Sequence, residues 1–343
     1  MDSMLTTKRG AASYLILAVI LAVGLGVGIV RFLNGMGATT NLSDAYPWGL
    51  WIVYDVFIIP LSAAAFMISL VTHIYHREEY HAMARPVVLA GFLGYVGVVA
   101  VLLVDLGRWH QFYSVLLPWR WNLHSFMFEV SMCITLYSVI LVLEVAPVVL
   151  ERLKWDVPLQ LINAVTVVVA GIGILLSSLH QSSLGSLFLL VPYKLHALWW
   201  TPLLPVMFFT SSAFGGLSMA IFVVVVSYRA FGRRVEIRPL AGLAKMVSIM
   251  LAAYLGLKLT DLAAAGELTQ LFTEGRLSVL FGVELVVGVI VPLALFTLRP
   301  SRRSVAGLST GAACVMLGIA LNRMNVALLG MGGLGLLRRR RVA

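Results

Sequence analysis

The chain carries little charge for its length. Only 12% of its 343 residues are Asp, Glu, Lys or Arg, whereas 60% are hydrophobic, and the mean hydropathy is +0.97. Soluble domains carry about twice that charged fraction. The scarcity of charge therefore excludes a soluble globular protein, and without a long polar segment we expect no separate soluble domain.

Metal-binding side chains are also scarce. The two cysteines, Cys133 and Cys314, lie in apolar runs and form no CxxC spacing, so we expect the chain to bind no iron–sulfur cluster. A bis-histidine haem needs two histidines that face each other at similar depth, whereas every histidine here is placed near the end of an apolar run. We therefore predict no haem and no metal site. The seven histidines are His73, His76, His81, His110, His124, His180 and His196.

Long apolar runs dominate the sequence, and nine of them have the roughly 20 residues that a membrane-spanning helix needs. Because these runs are too long for barrel strands, the predicted fold is all-α, a polytopic membrane helical bundle of about nine transmembrane helices. We expect a single integral membrane domain over 1–343, with its core at 11–298 and an extra helix and basic C-terminal tail at 299–343. The first run is read as a span, because no convincing signal cleavage site follows it. The runs cover approximately 11–32, 49–74, 86–107, 125–149, 159–179, 201–230, 239–264, 278–298 and 304–326.

Lysine and arginine are divided unequally between the two sides of this predicted domain. Positive loops favour the cytoplasm, which places the N-terminus there if the chain lies in a bacterial inner membrane. Loops 33–48, 108–124, 180–200 and 265–277 then face outside. Nine spans would leave the arginines at 338–341 outside as well, against the rule. The net charge of +10 lies mainly in such loops and tails, so we predict no nucleic-acid partner.

The stretch 177–200, SSLHQSSLGSLFLLVPYKLHALWW, joins two apolar runs and contains His180, Gln181 and Ser182. Polar side chains at the rim of a span are costly unless they are buried and partnered, so by default they are a functional-site hypothesis. The alternative is an interfacial loop that its two tryptophans anchor in the membrane. The residue types leave both readings open.

Further polar residues collect on the predicted outer side. Asp55 lies about two turns into the second span, which begins near Trp48. Asp105 and Arg108 close the third span at a spacing of three, which allows them to pair on one helix face. Each residue alone is explained as interfacial. Together they favour a polar pocket just under the outer surface.

Glu129, one turn inside the fourth span, is the strongest single candidate for a functional residue. An ionised carboxylate deep in a bilayer costs about 3 kcal/mol on insertion scales, so the neutral acid is favoured and the group is suited to proton exchange. The alternative is a structural carboxylate bonded to Ser or Asn on a neighbouring helix. Tyr95 is expected near mid-depth and Arg85 at the cytoplasmic start of the third span.

The later spans hold fewer such residues. Lys258 and Asp261 end the seventh span, again at a spacing of three that allows pairing. Glu284 inside the eighth span and Glu144 in the fourth could each join a proton path or be a buried packing residue. Glycines on two spans are expected to allow close helix approach. They are Gly24, Gly26, Gly28, Gly215 and Gly216.

Six segments together resemble the NrfD/PsrC family of quinone-interacting membrane subunits, and within it the HybB type found with periplasm-facing nickel–iron hydrogenases. The resemblance runs in order through nearly the whole chain. The segments are PWGLWIVYD at 47–55, ARPVVLAGFLGY at 84–95, VDLGRW at 104–109, NLHSFMFE at 122–129, LEVAPVVLERL at 143–153 and LHQSSLGSLFLLVPYKLHALW at 179–199.

This resemblance implies two four-helix bundles that bind menaquinone or ubiquinone near the periplasmic face and carry no prosthetic group. A docked periplasmic iron–sulfur subunit would supply the electrons, and membrane lipid would supply the quinone. The residues at the family's proton-path positions are Glu129, Tyr95 and Arg85. The residues expected at the quinone pocket are His180, Asp55, Asp105, Arg108, Trp48, Gln181 and Ser182.

The implied function is that of a quinone-binding subunit of a respiratory oxidoreductase, with the small and large subunits of an uptake nickel–iron hydrogenase as the expected catalytic partner. No activity is expected of the isolated chain. A polysulfide-, nitrite- or sulfite-type or cytochrome-linked partner stays open, as does a passive anchor or transporter. Two departures from the HybB type stand out: Val223 replaces a glutamate, and the expected tenth span is missing.

Overall fold

The protein is an all-α membrane bundle, as predicted. The structure, a computed structural model, describes residues 8–44, 46–74 and 78–331, and within them nine helices are long and apolar enough to cross a membrane. The basic tail at 338–341 lies outside the described residues. The helices are α1 (Lys8–Asn34), α2 (Leu50–Thr72), α3 (His81–Asp105), α4 (Phe126–Leu153), α5 (Asp156–Leu187), α6 (Leu204–Ala230), α7 (Ile237–Ala264), α8 (Arg276–Thr297) and α9 (Val305–Leu329).

Helices α2 to α9 form two four-helix bundles. In the first, α2 packs on α3, α3 on α4 and α4 on α5, and the second half of α2 reaches α5. In the second, α6 and α8 each pack on both α7 and α9. Helix α6 also contacts α2, α3 and α5, and so joins the bundles. Helix α1 stands apart, with almost all of its described side chains exposed.

Glycines bring backbones together where α6 meets α2 and where α8 crosses α9. A Cβ on Gly216 would lie 2.9 Å from the backbone nitrogen of Ala64, and one on Gly288 would lie 2.6 Å from Cα of Gly318. Side chains at these positions would therefore separate the helices. The prediction that glycines allow close helix approach is wrong for three glycines of α1, because a Cβ on any of them would meet no atom within 4 Å. These are Gly24, Gly26 and Gly28.

Helix α3 begins earlier than predicted and contains Pro86. It starts at His81, so the proline lies in its second turn and cannot donate to the carbonyl of Ala82. The hydroxyl of Tyr228, at the end of α6, donates to that carbonyl at 3.1 Å. A side chain of the neighbouring bundle thus satisfies the acceptor that the proline leaves free.

Helix α5 extends beyond its predicted end, and the predicted outer loop at 180–200 is therefore wrong. The helix continues to Leu187 and the next loop begins at Val191. The hydroxyls of Ser183 and Ser186 donate to carbonyls four residues earlier, so these polar residues are compatible with helix. His180 is consequently buried inside the bundle rather than at its rim.

Loops from both halves of the chain meet at one end of the molecule, which we call the long-loop end. Lys194 Nζ donates to the carbonyl of Asp44 at 2.5 Å, and His196 Nε2 lies 3.6 Å from a carboxylate oxygen of Glu274. Three of the loops predicted to share one side therefore lie together.

Candidate functional site

Tyr95 on α3 and His180 on α5 meet inside the first bundle. Each is 1% exposed, and the Tyr95 hydroxyl oxygen lies 3.1 Å from Nδ1 of His180. The ring of Tyr137 on α4 packs against both, with centroid distances of 4.5 Å to Tyr95 and 6.5 Å to His180. With Asp55 of α2, these residues form what we call the Tyr95–His180 cluster, to which all four helices of the bundle contribute.

Asp55 is the fourth member of this cluster, and its carboxylate makes no hydrogen bond to the described residues. It is 2% exposed, and it is electrostatically coupled to Tyr95 and to Asp105. Within the described part of the chain, neither carboxylate oxygen of Asp55 nor Nε2 of His180 has a hydrogen-bond partner. Leaving a buried polar group unpaired costs about 1–3 kcal/mol. Asp55 and His180 therefore each keep an unsatisfied polar atom inside the bundle.

Glu129 lies close to the Tyr95–His180 cluster, in the first turn of the fourth span, where it was expected. Helix α4 begins at Phe126, which puts Glu129 in its first turn, exposed at the long-loop end. Its Oε1 accepts a hydrogen bond from the Ser183 hydroxyl at 2.6 Å, the contact that the structural alternative anticipated. Cys133, one turn further along α4, interacts electrostatically with both Glu129 and Tyr95.

Arg85 is far from the cluster. Its guanidinium pairs with Glu151 of α4 at 2.9 Å, and both side chains are largely exposed at the end opposite the long loops. Ten residues separate Arg85 from Tyr95, or about 15 Å along a helix. The structure therefore does not bring these two predicted proton-path residues into contact.

The predicted Asp105–Arg108 pair is wrong. Helix α3 ends at Asp105, so Arg108 lies beyond it, exposed in the following loop, and the helical spacing no longer applies. The charge of Arg31, from α1, acts on Asp105 instead. Arg31 is 4% exposed and donates from Nη2 to the carbonyl of Leu106 at 2.7 Å.

The remaining predicted pocket residues line the end of α5. The ring of Trp48 contacts that of Phe188 edge-on at a centroid distance of 4.8 Å. Gln181 is fully buried, and its Oε1 has no partner among the described residues. Because adjacent residues of a helix face different directions, Gln181 does not share the helix face of His180. Ser182 is half-buried.

A second buried polar group, in the second bundle, surrounds Glu284. Its Oε1 accepts from Lys258 Nζ at 2.5 Å and from Asn322 at 2.9 Å. Its Oε2 accepts from the Trp199 indole at 2.8 Å and from Asn325 at 2.9 Å. Four donors hold this carboxylate as a fixed anion, which favours the packing role over the proton path. With Arg323, these residues form what we call the Glu284 cluster.

Arg323 connects the Glu284 cluster to the first bundle. Its Nη1 donates to Asn322 at 2.7 Å and its Nη2 to Ser211 at 2.7 Å. Its Nε donates to the carbonyl of Val56 at 3.2 Å, and its guanidinium stacks 3.5 Å from the ring centroid of Phe208. Val56 follows Asp55, so this buried arginine anchors the α2 backbone beside the Tyr95–His180 cluster.

The sequence did not predict the Glu284 cluster. The spacing allowed Lys258 to pair with Asp261, but Lys258 binds Glu284, and Asp261 accepts from Thr201 at 2.8 Å. The partners of Glu284 lie 26 to 85 residues away along the chain. A cavity of about 20 Å³ adjoins Lys258 and Arg323, room for about one water molecule. The only sequence signal was a carboxylate inside an apolar run.

His196 is a titratable group outside the spans. Its Nδ1 accepts from the backbone N–H of Leu198 at 3.3 Å, and Nε2 faces Glu274. Burial lowers the pKa of His196 below its usual value of 6.5, although the Glu274 carboxylate acts in the opposite direction. The imidazole is therefore neutral near pH 7, with its proton on the nitrogen that faces Glu274.

The described histidines do not fit a bis-histidine haem. His180 has Tyr95 and Tyr137 as its aromatic neighbours, whereas His110 and His124 are exposed in a loop. His196 is engaged in the loop that precedes α6. A bis-histidine haem at the depth of His180 would need a second imidazole facing that ring, and His110, His124 and His196 all lie in loops outside the helices of the first bundle.

Two four-helix bundles of membrane-spanning length, with a buried Tyr–His pair and an unpaired aspartate in the first, define a polytopic membrane protein. The chain belongs to the NrfD family. The family model described as "Polysulphide reductase, NrfD" matches residues 38–331. Members are membrane subunits of quinone-interacting oxidoreductase complexes, and this chain is one of them.

Relatives in two organisms support this membership. The chain is 30% identical over 305 residues to the "Probable Ni/Fe-hydrogenase 2 b-type cytochrome subunit" of Escherichia coli K12, covering 88% of this chain and 77% of the relative. It is 31% identical over 323 residues to the "Menaquinone reductase, integral membrane subunit" of Nitratidesulfovibrio vulgaris, covering 84% and 74%. A further N. vulgaris protein, whose name states no function, is 33% identical over 326 residues, covering 92% and 82%.

Proposed function

We propose that the Tyr95–His180 cluster is the site at which this subunit binds a membrane quinone, which there takes its electrons from the iron–sulfur partner subunit. One observation carries the proposal: the Tyr95 hydroxyl lies 3.1 Å from Nδ1 of His180, while Nε2 of the same ring has no partner in the described chain. A quinone carbonyl is an acceptor that such a ring can bind. The N-terminus is proposed to be cytoplasmic, which places the cluster near the periplasmic side of a bacterial inner membrane.

The two ring nitrogens of His180 would have different tasks. When the Tyr95 hydroxyl donates to Nδ1, the proton of the neutral ring is on Nε2, where it can hydrogen-bond one quinone oxygen. Asp55, buried and with no described donor or cation bonded to it, can bond the second oxygen as a neutral acid. Reduction of the quinone then takes two electrons and two protons, and these residues hold protons at the oxygens that need them.

Protons are proposed to arrive along α4. Glu151, Glu144 and Tyr137 recur every seven residues and so share one face of that helix. Glu151 pairs with Arg85 at the proposed cytoplasmic end, the charge of Glu144 acts on Tyr137, and Tyr137 packs on the cluster. Because Val223 of α6 supplies no carboxylate, this route does not use that helix.

Glu129 is proposed to exchange protons on the opposite side of the cluster. Its first-turn position and its bond to Ser183 put it at the long-loop end. Electrons are proposed to enter from that end, from a periplasmic iron–sulfur subunit. The chain is proposed to bind no haem and no cluster itself, although the name of the E. coli relative describes a b-type cytochrome subunit.

For the catalytic partner we propose the small and large subunits of an uptake nickel–iron hydrogenase, since the E. coli relative carries a hydrogenase name. A menaquinone reductase complex is the second candidate, because another relative of similar identity carries that name. Affinity purification of the tagged chain from its native membrane, followed by identification of the large subunit that co-purifies, separates the two.

The test of the quinone site is an inhibitor titration of the purified complex with a quinone-site inhibitor, for the wild type and for His180→Ala. We expect affinity to fall at least tenfold in the variant, because the bond to the quinone oxygen is lost. His110→Ala, in an exposed loop, is the matched control. Unchanged affinity in an assembled His180→Ala complex would remove the cluster as the site. An optical spectrum of the same sample tests for haem in this subunit.

A further inference from the structure

A large groove separates α1 from α2 at the membrane-facing side of the first bundle. It has a volume of about 490 Å³, and Val23, Gly26, Val27 and Val30 of α1 form one wall with Trp51 of α2 opposite. Thr39, Thr40 and Arg31 close its polar end. This volume is within the usual range for sites that bind small ligands, about 300–1,000 Å³. Apolar walls inside a span suit an isoprenoid or acyl chain.

The groove leads toward the Tyr95–His180 cluster. Trp51 and Asp55 are four residues apart on α2 and therefore lie on the same helix face. At the polar end, Nη2 of Arg31 donates to the carbonyl of Leu106, the residue that follows Asp105. The polar end of the groove thus adjoins the two carboxylates predicted for the quinone pocket.

We propose that this groove holds the isoprenoid tail of the quinone, and that Arg31 is a positioning residue at its polar end. This inference rests on the proposed function and deepens it. A quinone head bonded to Asp55 would leave its tail on the helix face of α2 that Asp55 shares with Trp51, where the groove lies. Nη2 of Arg31 bonds the Leu106 carbonyl, whereas its Nε and Nη1 have no partner among the described residues. A lipid phosphate at this polar end is therefore the competing occupant, which the assay below separates from the quinone tail.

Two glycines of α1 provide a matched test. A Cβ at Gly26 or at Gly24 would meet no atom within 4 Å, so both accept a larger side chain, but only Gly26 lines the groove. Gly26→Phe should fill the space for the tail, and Gly24→Phe should not. The assay is quinone-linked turnover of the purified complex with long-chain menaquinone and with menadione, which has the same head but no tail.

We expect Gly26→Phe to raise KM for menaquinone about tenfold and to leave KM for menadione unchanged, with Gly24→Phe like the wild type. Val27→Phe is a second variant on the same wall, and size-exclusion profiles establish assembly of each complex. An unchanged menaquinone KM in both groove variants overturns the proposal. If those variants instead lose co-purified phospholipid with no kinetic change, the groove is a phospholipid site and the tail lies elsewhere.

This experiment can reject the head site at His180 and the tail groove at Gly26 independently of each other. His180→Ala should raise KM for both quinones, since it acts on the head. If His180→Ala affects neither while Gly26→Phe affects menaquinone alone, the head site is wrong and the groove stands. If His180→Ala affects both and Gly26→Phe affects neither, the head site stands and the groove is rejected.

Discussion

The hydroxyl of Tyr95 and Nδ1 of His180 lie 3.1 Å apart, between helices α3 and α5, and both side chains are almost completely buried. This contact determines more than packing. Because one ring nitrogen is occupied by the tyrosine, the other is the nitrogen available to a ligand, and the orientation of the ring is fixed by the same bond. Any role of His180 in quinone binding therefore depends on Tyr95.

Tyr95→Phe is expected to weaken quinone binding about tenfold. Removing the hydroxyl leaves Nδ1 unpaired in a buried site, which costs about 1–3 kcal/mol, and frees the ring to rotate. The measurement is inhibitor titration on the purified complex. Tyr228→Phe is the control, because it also removes one hydrogen bond, to the carbonyl of Ala82, but at the opposite end of the bundle. Equal affinities in the two variants would contradict the positioning role.

Glu129→Gln should lower quinone-linked turnover by about 10²-fold, the lower end of what a proton-transferring group contributes. The amide keeps an oxygen for the Ser183 hydroxyl, which now donates at 2.6 Å, but it cannot carry a proton. Electron transfer from the partner to an artificial dye should be unchanged.

Ser183→Ala separates the proton role of Glu129 from a structural one. It removes the same hydrogen bond but leaves the carboxylate, so a small loss of turnover is expected. If Ser183→Ala and Glu129→Gln lower turnover equally, the hydrogen bond matters and the proton does not. That result would favour the structural alternative for Glu129.

The fold could be predicted because span length and hydropathy are local properties. Each run of about 20 apolar residues must be a helix in lipid, whatever its neighbours are. The end of α5 could not be predicted in this way. His180 and Gln181 are polar, and only their burial against other helices allows the helix to continue through them.

The sequence indicated how deep the site residues lie in the membrane, but it did not indicate which of them touch. Tyr95 and His180 were both identified, but 85 residues separate them, and only the packing of α3 on α5 shows that they touch. Glu284 was noted as a carboxylate inside a span, yet the spacing of three pointed to Asp261 as the residue with which Lys258 could pair. The nearer residue in sequence was the wrong partner.

Glu284→Ala should destabilise the protein by about 3–5 kcal/mol, because it leaves Lys258 charged and unpaired in the interior. The measurement is thermal or denaturant unfolding of the protein in lipid nanodiscs. Glu151→Ala is the matched control: it also removes the carboxylate of an ion pair, but its pair with Arg85 is largely exposed, and such pairs contribute at most about 1 kcal/mol.

The double variant Glu284→Ala with Lys258→Met tests the cause of that loss. Removing the unpaired charge should recover part of the stability, although Asn322, Asn325 and Trp199 still lack their acceptor. If the double variant is no more stable than Glu284→Ala, the loss comes from the other three hydrogen bonds. Lys258 would then contribute little to the stability of the second bundle.

His196 should make the long-loop end sensitive to acid. Since its folded pKa lies below the usual 6.5, the unfolded chain binds the proton more readily, and stability should fall as the pH decreases below about 6.5. His196→Asn should show a smaller fall in Tm between pH 7 and about pH 5. Glu274→Gln should show a larger one, because the carboxylate that favours the protonated ring is lost. An unchanged pH profile in His196→Asn would assign the acid sensitivity to another group.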